Sequence, residues 1–208
     1  YINDQMLPTG YLREWKMGSR RADIIIVSKT PPVFSAMERR MIIEDLEPKA
    51  YQKVYFSYYQ YGDFISVNSN EDYHNPMSKA YYFERQYSAV LFTGIANASN
   101  LYYYLKNNLN HVEHLGFSDH HQYSVSDLLK VRELFDNIAG SNKIIITTEK
   151  DAMRLNLPEL REAVKELPIF YLPIEVVFHG SDGEAFNEQI IKYVRNNSID
   201  SKIYSGKS

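Results

Sequence analysis

The feature of this sequence that most restricts its fold is a recurring unit: an apolar, β-branched segment, a short polar loop, and then a helical spacing of apolar residues. Copies of the unit begin at residues 22–30, 88–96, 110–117 and 142–147. Strands that alternate with helices in this way pair in parallel, and the helices cover both faces of the sheet. We therefore predict an α/β fold with a mainly parallel sheet and flanking helices.

Two of the predicted helices have clear sequence signals. Residues 35–47 follow a pair of prolines, and residues 124–140 end at Gly140. Ser124 and Asp127 have the spacing of a capping box, with Asp in place of the usual Glu or Gln. The predicted apolar face of the second helix consists of Leu128, Leu129, Phe135 and Ile138.

A tyrosine-rich segment interrupts the recurring unit. Residues 51–67 alternate partially between apolar and polar positions, which favours an exposed antiparallel ribbon, with residues 81–87 as the returning strand. We place a domain junction there. The predicted division is an N-terminal part (1–50), a two-stranded ribbon and linker (51–87), a C-terminal α/β domain (88–196) and a flexible tail (197–208).

Composition excludes several classes of function. The chain has 23 Lys and Arg against 26 Asp and Glu, a formal charge of −3, so nucleic acid is not an expected partner. It has no cysteine, which excludes disulfides and thiolate metal sites. Its apolar segments are too short to cross a bilayer, and it starts with neither an initiator Met nor a signal pattern, so we interpret it as a soluble fragment.

Polar loops follow four of the predicted strands. Because ligands of α/β sheets bind outside the carboxyl ends of strands, these loops are the candidate sites. They contain "SKT", "TGIANAS", "SDHHQYS" and "TTEKDAMR". The motifs GxxxxGK[ST], GxGxxG, GxSxG and HExxH are all absent from the sequence, so it has no phosphate-binding loop of its own.

Asp119, His120 and His121 form the most conspicuous polar group. They could be part of a metal site, an acid/base pair, or an ordinary loop with a capped turn and solvated histidines. Adjacent histidines project in different directions, so the three residues cannot by themselves supply three ligands to one zinc ion. The local pattern alone favours the ordinary loop.

Five motifs in a fixed order favour a functional role for this loop instead. They are "LPTGYLRE" (7–14), "RADIIIVSKTPP" (21–32), "FTGIANASNLYYYL" (92–105), "LGFSDHHQYS" (115–124) and "TTEKDAMRL" (147–155). Together they resemble the tetraacyldisaccharide 4′-kinase family, the lipid A 4′-kinases of Gram-negative bacteria. The resemblance extends from Leu7 to about Asn196.

The resemblance implies transfer of the γ-phosphate of ATP, with Mg²⁺, to the 4′-hydroxyl of tetraacyldisaccharide 1-phosphate. It implies a P-loop domain, of which residues 1–50 are the last part, and a smaller C-terminal domain, with substrate in the cleft between them. The P-loop and the catalytic Asp would precede residue 1, so we expect this chain to be inactive alone. The family also implies peripheral contact with the cytoplasmic face of the inner membrane through an N-terminal segment that is missing here.

The resemblance also implies roles for particular residues. His120 matches the family histidine that pairs with the catalytic Asp, and Asp119 would orient it or approach the nucleotide. Arg13 would contact phosphate, and Glu14 would hold Mg²⁺. Further candidates for nucleotide binding are Lys29, Thr148, Glu149, Lys150 and Asp151, although Asp151 could instead cap a helix; Gly94 and Asn97 would shape a turn that faces the cleft.

Two alternatives from other classes stay open. One is a noncatalytic module that binds sugar or lipid. The other is a metal-dependent phosphoesterase built on Asp119, His120 and His121, which would need further Asp and His residues from other strands.

Overall fold

The computed structural model describes residues 16–67 and 77–204, and the side chains of 17–67 and 77–197. The strands are β1 (Ile24–Val27), β2 (Lys53–Tyr61), β3 (Ile65–Ser66), β4 (Ser88–Thr93), β5 (His111–Gly116), β6 (Lys143–Thr148), β7 (Ile169–Leu172) and β8 (Ile174–Phe178). The α-helices are α1 (Ala36–Leu46), α2 (Lys79–Glu84), α3 (Ser99–Asn108), α4 (Val125–Asn137), α5 (Glu149–Arg154), α6 (Arg161–Lys165) and α7 (Asp182–Tyr204), and 3-10 turns occupy Lys16–Arg21 and Pro158–Leu160.

The chain divides into two compact units. Unit 1 combines residues 1–60 with 175–208, and unit 2 is continuous from 61 to 174. The predicted boundaries at residues 50 and 87 do not coincide with these units, because β8 and α7 belong with the N-terminal residues. Residues 197–204, predicted to be a flexible tail, continue α7.

Unit 1 contains a three-stranded sheet in the order β1-β2-β8. The first half of β2 runs parallel to β1, with Ile24 opposite Lys53 and Val27 opposite Phe56. The strand predicted in residues 51–67 is therefore confirmed, but its interpretation as an exposed ribbon is wrong here, because Phe56 is fully buried. The predicted returning strand at 81–87 is also wrong, because residues 79–84 form α2.

A partly buried ion pair connects the helices of unit 1 to β2. Asp182, the first residue of α7, accepts a hydrogen bond from Arg39 Nη2 at 2.7 Å and another from Phe56 N at 2.9 Å. The guanidinium of Arg39 also lies 4.5 Å from the centre of the Phe56 ring. One carboxylate thereby fixes the start of α7 against both α1 and the strand.

Although α7 is 23 residues long, neither it nor any other helix of the described ranges is apolar enough to span a bilayer.

Unit 2 is built on a five-stranded sheet in the order β3-β7-β6-β4-β5. Strands β5, β4, β6 and β7 are mutually parallel, and only β3 is antiparallel to its neighbour. All six residues of the interior strand β4 are buried, as expected for a strand covered on both faces. The predicted α/β fold class, with a mainly parallel sheet, is confirmed.

Helices cover both faces of the sheet of unit 2. Leu91 and Ile146 face one core with α3, whereas Val90 and Ile145 face the other with α4. The alternation follows from the two-residue period of a strand. Leu129 was predicted on the apolar face of α4, but it is exposed; the face that packs on the sheet carries Leu128 and Val131.

The order of the strands creates a switch point between β4 and β6. From β4 the chain continues through α3 to β5 on one side, and from β6 it continues through α5 and α6 to β7 on the other. Where neighbouring strands send their connections in opposite directions, a crevice opens outside their carboxyl ends, and α/β proteins bind ligands there. The loops after β4, β5 and β6 meet at this end of the sheet.

Candidate functional site

Asp151 is the centre of the polar network at the switch point. Its side chain is completely buried, and Oδ2 accepts hydrogen bonds from Gly94 N at 3.0 Å and from Thr148 Oγ1 at 2.7 Å. Oδ1 accepts from Arg154 Nη1 at 2.9 Å. Thr148 is the N-cap of α5, and its hydroxyl accepts from Asp151 N. Asp151 thus holds α5 to the loop after β4, while Thr148 caps the helix and fixes the orientation of the Asp151 carboxylate.

Arg154 extends this network to the loop after β5. Nη1 also donates to Gly94 O at 3.0 Å, and Nη2 donates to His120 Nδ1 at 3.2 Å. Sequence reasoning did not select Arg154 as a site residue. The available signal was its position three residues after Asp151, which places the two side chains on the same face of a helix.

His120 occupies the exposed rim of the site. Its backbone is left-handed, with φ of 59°, and its N–H is within hydrogen-bonding distance of Gly94 O at 3.1 Å and Asp119 Oδ1 at 3.0 Å. The side chain is 71% exposed, and Nε2 lies 3.6 Å from Asp119 Oδ2. Because arginine only donates hydrogen bonds, Nδ1 must accept from Arg154, and a neutral His120 therefore carries its proton on Nε2. The site presents that N–H at its surface.

His121 points elsewhere, as expected for an adjacent histidine in a loop. Its Nε2 bonds to Asp127 Oδ2 at 3.1 Å, and its ring stacks on Phe117 with centroids 4.6 Å apart. Within the ranges 16–67 and 77–204, no three His, Asp or Glu side chains are arranged to hold a metal ion.

Gly94 sits where the three loops are most crowded. A Cβ atom at this position would lie 3.0 Å from Tyr123 Oη, 3.1 Å from His121 Cβ and 3.2 Å from Asp151 Oδ1. Tyr123 is buried, and burial, reinforced by the negative charge of Asp151, raises the pKa of its hydroxyl. A side chain at this position would force these neighbours to shift, which favours glycine here.

We expect Gly94→Val to lower the free energy of unfolding by about 1–3 kcal/mol, because the added methyl groups displace a packed tyrosine and a buried carboxylate. Chemical denaturation followed by circular dichroism measures the change. The matched control is Gly116→Ala, whose Cβ would lie an ordinary 3.8 Å from His114. If both variants were equally stable, the crowding at Gly94 would carry no energetic cost.

The other predicted site residues are more dispersed. Asn97 is exposed, and its Oδ1 accepts from Ser99 N at 2.9 Å, which shapes the turn before α3. Glu149 and Lys150 are exposed in the first turn of α5. Lys29 belongs to unit 1, where it follows β1 with a φ of 63° and its ammonium lies 5.9 Å from the ring of Tyr59. Arg13 and Glu14 lie outside the described residues.

The predicted capping box of α4 is present. Asp127 accepts from Ser124 N at 3.1 Å and from its Oγ at 2.7 Å, while Ser124 Oγ accepts from Asp127 N at 3.3 Å. Burial opposes ionisation of Asp127, but the hydrogen bonds from Ser124, His121 and Lys130 outweigh it and hold the pKa of this carboxyl well below its ordinary value. Asp127 therefore connects the start of α4 to the preceding loop through its hydrogen bond with His121.

We expect Asp127→Asn to cost about 1–2 kcal/mol of unfolding free energy at pH 7. A carboxyl whose pKa is lowered by folding contributes stability above its unfolded pKa of about 3.9, and loses it as the pH falls further. The difference between wild type and variant should therefore shrink in denaturation experiments below about pH 4. Glu133→Gln, on the exposed side of α4, is the control. If the difference in unfolding free energy between wild type and Asp127→Asn did not change with pH, ionisation of Asp127 would not contribute to stability.

Comparisons with known proteins agree with this architecture. The family model described as tetraacyldisaccharide-1-P 4′-kinase matches residues 1–195. The tetraacyldisaccharide 4′-kinase of Bacteroides thetaiotaomicron is 36% identical, over 97% of this chain and 54% of its own length. That of Flavobacterium psychrophilum is 34% identical, over 95% of this chain and 52% of its own length. The chain thus spans about half the length of the curated relatives it matches.

One solved structure has a similar fold. It is LpxK from Aquifex aeolicus in complex with ATP, which is 20% identical, with a TM-score of 0.54, over 91% of this chain and 48% of that protein.

Proposed function

This chain belongs to the tetraacyldisaccharide-1-P 4′-kinase family, and from that premise we propose that the protein transfers the γ-phosphoryl group of ATP to the 4′-hydroxyl of tetraacyldisaccharide 1-phosphate. The reaction is a step of lipid A synthesis. The observation that carries the proposal is the extent of the family match, because residues 1–195 include all three loops at the switch point. The resemblance noted from five separate motifs agrees with it.

His120 is the residue we place closest to the reaction. Its Nε2–H is exposed and its Nδ1 is engaged by Arg154, so the neutral ring acts as a hydrogen-bond donor rather than as a base. A fixed donor stabilises negative charge that develops on oxygen during phosphoryl transfer. We assign His120 Nε2 to an anionic oxygen of the reacting groups, and Asp119 to holding the loop through the backbone of His120.

ATP is the proposed phosphoryl donor, and Glu149, Lys150 and Lys29 remain candidates for contacting it. Mg²⁺ is its proposed companion ion, with Glu14 as the proposed ligand. The described residues do not offer a cluster that fits the ion, so no step is assigned to it. We also propose that the protein works at the cytoplasmic face of the inner membrane, in peripheral contact with the bilayer that holds its acylated substrate.

The test is transfer of ³²P from labelled ATP to tetraacyldisaccharide 1-phosphate by the complete gene product that contains this chain. A matched acceptor that lacks the 4′-hydroxyl should stay unlabelled. We expect no transfer by the 208-residue chain alone, because its sequence contains no GxxxxGK[ST] loop to bind ATP phosphates. Lipid binding without transfer by the complete protein would overturn the proposal in favour of a noncatalytic lipid- or sugar-binding module.

A further inference from the structure

We propose that Arg154 is a positioning residue that fixes the orientation and the tautomer of His120. The proposal rests on the proposed function, in which His120 Nε2 donates a hydrogen bond to the reacting groups. Arg154 is the last residue of α5, whereas His120 lies in the loop between β5 and α4.

The guanidinium of Arg154 is held on one side by two acceptors. Nη1 donates to Asp151 Oδ1 at 2.9 Å and to Gly94 O at 3.0 Å, and the side chain is only 21% exposed. Because the guanidinium is planar and rigid, these two bonds determine where Nη2 points. Nη2 points at His120 Nδ1, 3.2 Å away.

The backbone of His120 is tied to the same peptide group. Its N–H donates to Gly94 O, the carbonyl that also accepts from Arg154, and Gly94 N is held by Asp151. Gly94 O therefore helps to position both the main chain of His120, by a direct hydrogen bond, and its imidazole, through Arg154. A left-handed φ at a residue other than glycine is unfavourable, so this support also compensates for local strain.

The contact with Arg154 has a chemical consequence for the ring. An exposed histidine without a partner exchanges its proton between both nitrogens, whereas a donor fixed at Nδ1 leaves Nε2 as the only site for the proton in the neutral ring. Arg154 thus keeps the N–H on the exposed edge of His120, where a donor is needed. Lysine would preserve the charge but not the three-acceptor geometry, because an ammonium does not form a planar fork.

The direct test is ¹⁵N NMR of histidine-labelled protein, with the His120 signals assigned by their loss in His120→Ala. In the wild type we expect Nδ1 at the shift of an unprotonated, hydrogen-bonded nitrogen and Nε2 at that of a protonated one. Both Arg154→Met and Arg154→Lys should move the two signals toward the averaged values of an exposed ring. Arg132→Met is the control. It removes an arginine of α4 that pairs with Glu166 at the end of α6, and it should move neither His120 signal.

Unchanged His120 shifts in the two Arg154 variants would overturn the proposal. Arg154→Lys retains a cation beside Asp151, so it supplies the NMR readout if Arg154→Met does not fold.

A kinetic cycle tests whether Arg154 acts through His120. In the complete protein we expect Arg154→Met to lower kcat about 10- to 100-fold, as misplacement of a catalytic group does. In a His120→Ala background the same change should have almost no further effect, because residues that act as a unit are not additive. An equal loss in both backgrounds would assign Arg154 a purely structural role and overturn the proposal.

The two readouts separate this inference from the proposed function. If His120→Ala left kcat unchanged, the role of His120 in phosphoryl transfer would fail, while the NMR shifts would still report whether Arg154 sets the tautomer. If the shifts did not respond but His120→Ala were inactive, the proposed function would stand without Arg154.

Discussion

Replacing Asp151 by alanine is expected to lower the free energy of unfolding by about 3–5 kcal/mol, the usual cost of removing one partner from a buried ion pair. Gly94 N and Thr148 Oγ1 lose their acceptor, and Arg154 Nη1 loses one of its two acceptors. Gly94 and Thr148 are buried, so their donors cannot bond to water instead. Asparagine retains the shape of the side chain but not its charge, and we expect Asp151→Asn to cost less, about 2–3 kcal/mol.

Denaturation by urea, followed by far-ultraviolet circular dichroism, measures both changes. Asp136→Ala, at an exposed position of α4, is the control and should stay within about 0.5 kcal/mol of wild type. An Asp151→Ala protein as stable as the control would mean that the three loops do not depend on this carboxylate. In that case the nucleotide-binding role predicted from the sequence would become the better explanation of the residue.

Replacing His120 by alanine is expected to lower kcat by about 10²–10⁴ with a smaller change in KM, because the lost hydrogen bond is needed most in the transition state. Stability should hardly change, since 71% of the side chain is exposed. The prediction is thus the opposite of that for Asp151: activity is lost and the fold is kept. Steady-state kinetics of the complete protein, with thermal unfolding alongside, makes the comparison.

A second variant distinguishes a donor from a base. The side-chain amide of glutamine can donate from about the position of Nε2, but it cannot accept a proton. His120→Gln should therefore keep more activity than His120→Ala if the ring donates a hydrogen bond, and no more if it acts as a general base. His111→Ala, at an exposed position of β5, is the control. A similar loss of kcat in this variant would show that the effect of His120→Ala is not specific to that residue.

Sequence patterns predicted the parts of the fold that local chemistry decides. The alternation of apolar segments and helical spacing predicted the parallel sheet, and the spacing of Ser124 and Asp127 predicted the cap of α4. The rule that ligands bind at the carboxyl ends of strands selected the loops that contain Gly94, His120 and Asp151. Each of these inferences depends on residues that are close in sequence.

The predictions that failed depend on distant partners. Residues 81–87 are rich in Tyr and Phe, which favours a strand, but α2 begins where Lys79 N donates to Asp63 Oδ1, 16 residues earlier in the chain. The contact between Arg154 and His120 spans 34 residues. No pattern within either segment indicates the other, because the pairing exists only once β5 and β6 lie on either side of β4.

The discontinuity of unit 1 determines the order in which the protein can mature on the ribosome. Unit 2 is complete once residue 174 has been synthesised, but the sheet of unit 1 lacks β8 until residue 178, and Arg39 lacks Asp182 until α7 begins. At about 5–20 residues per second, β1 and β2 wait several seconds for the strand that completes their sheet. During that interval we expect Tyr55 and Phe56, which are buried in the complete fold, to be exposed, and a stop codon between β2 and β8 would leave β2 without the strand that completes its sheet.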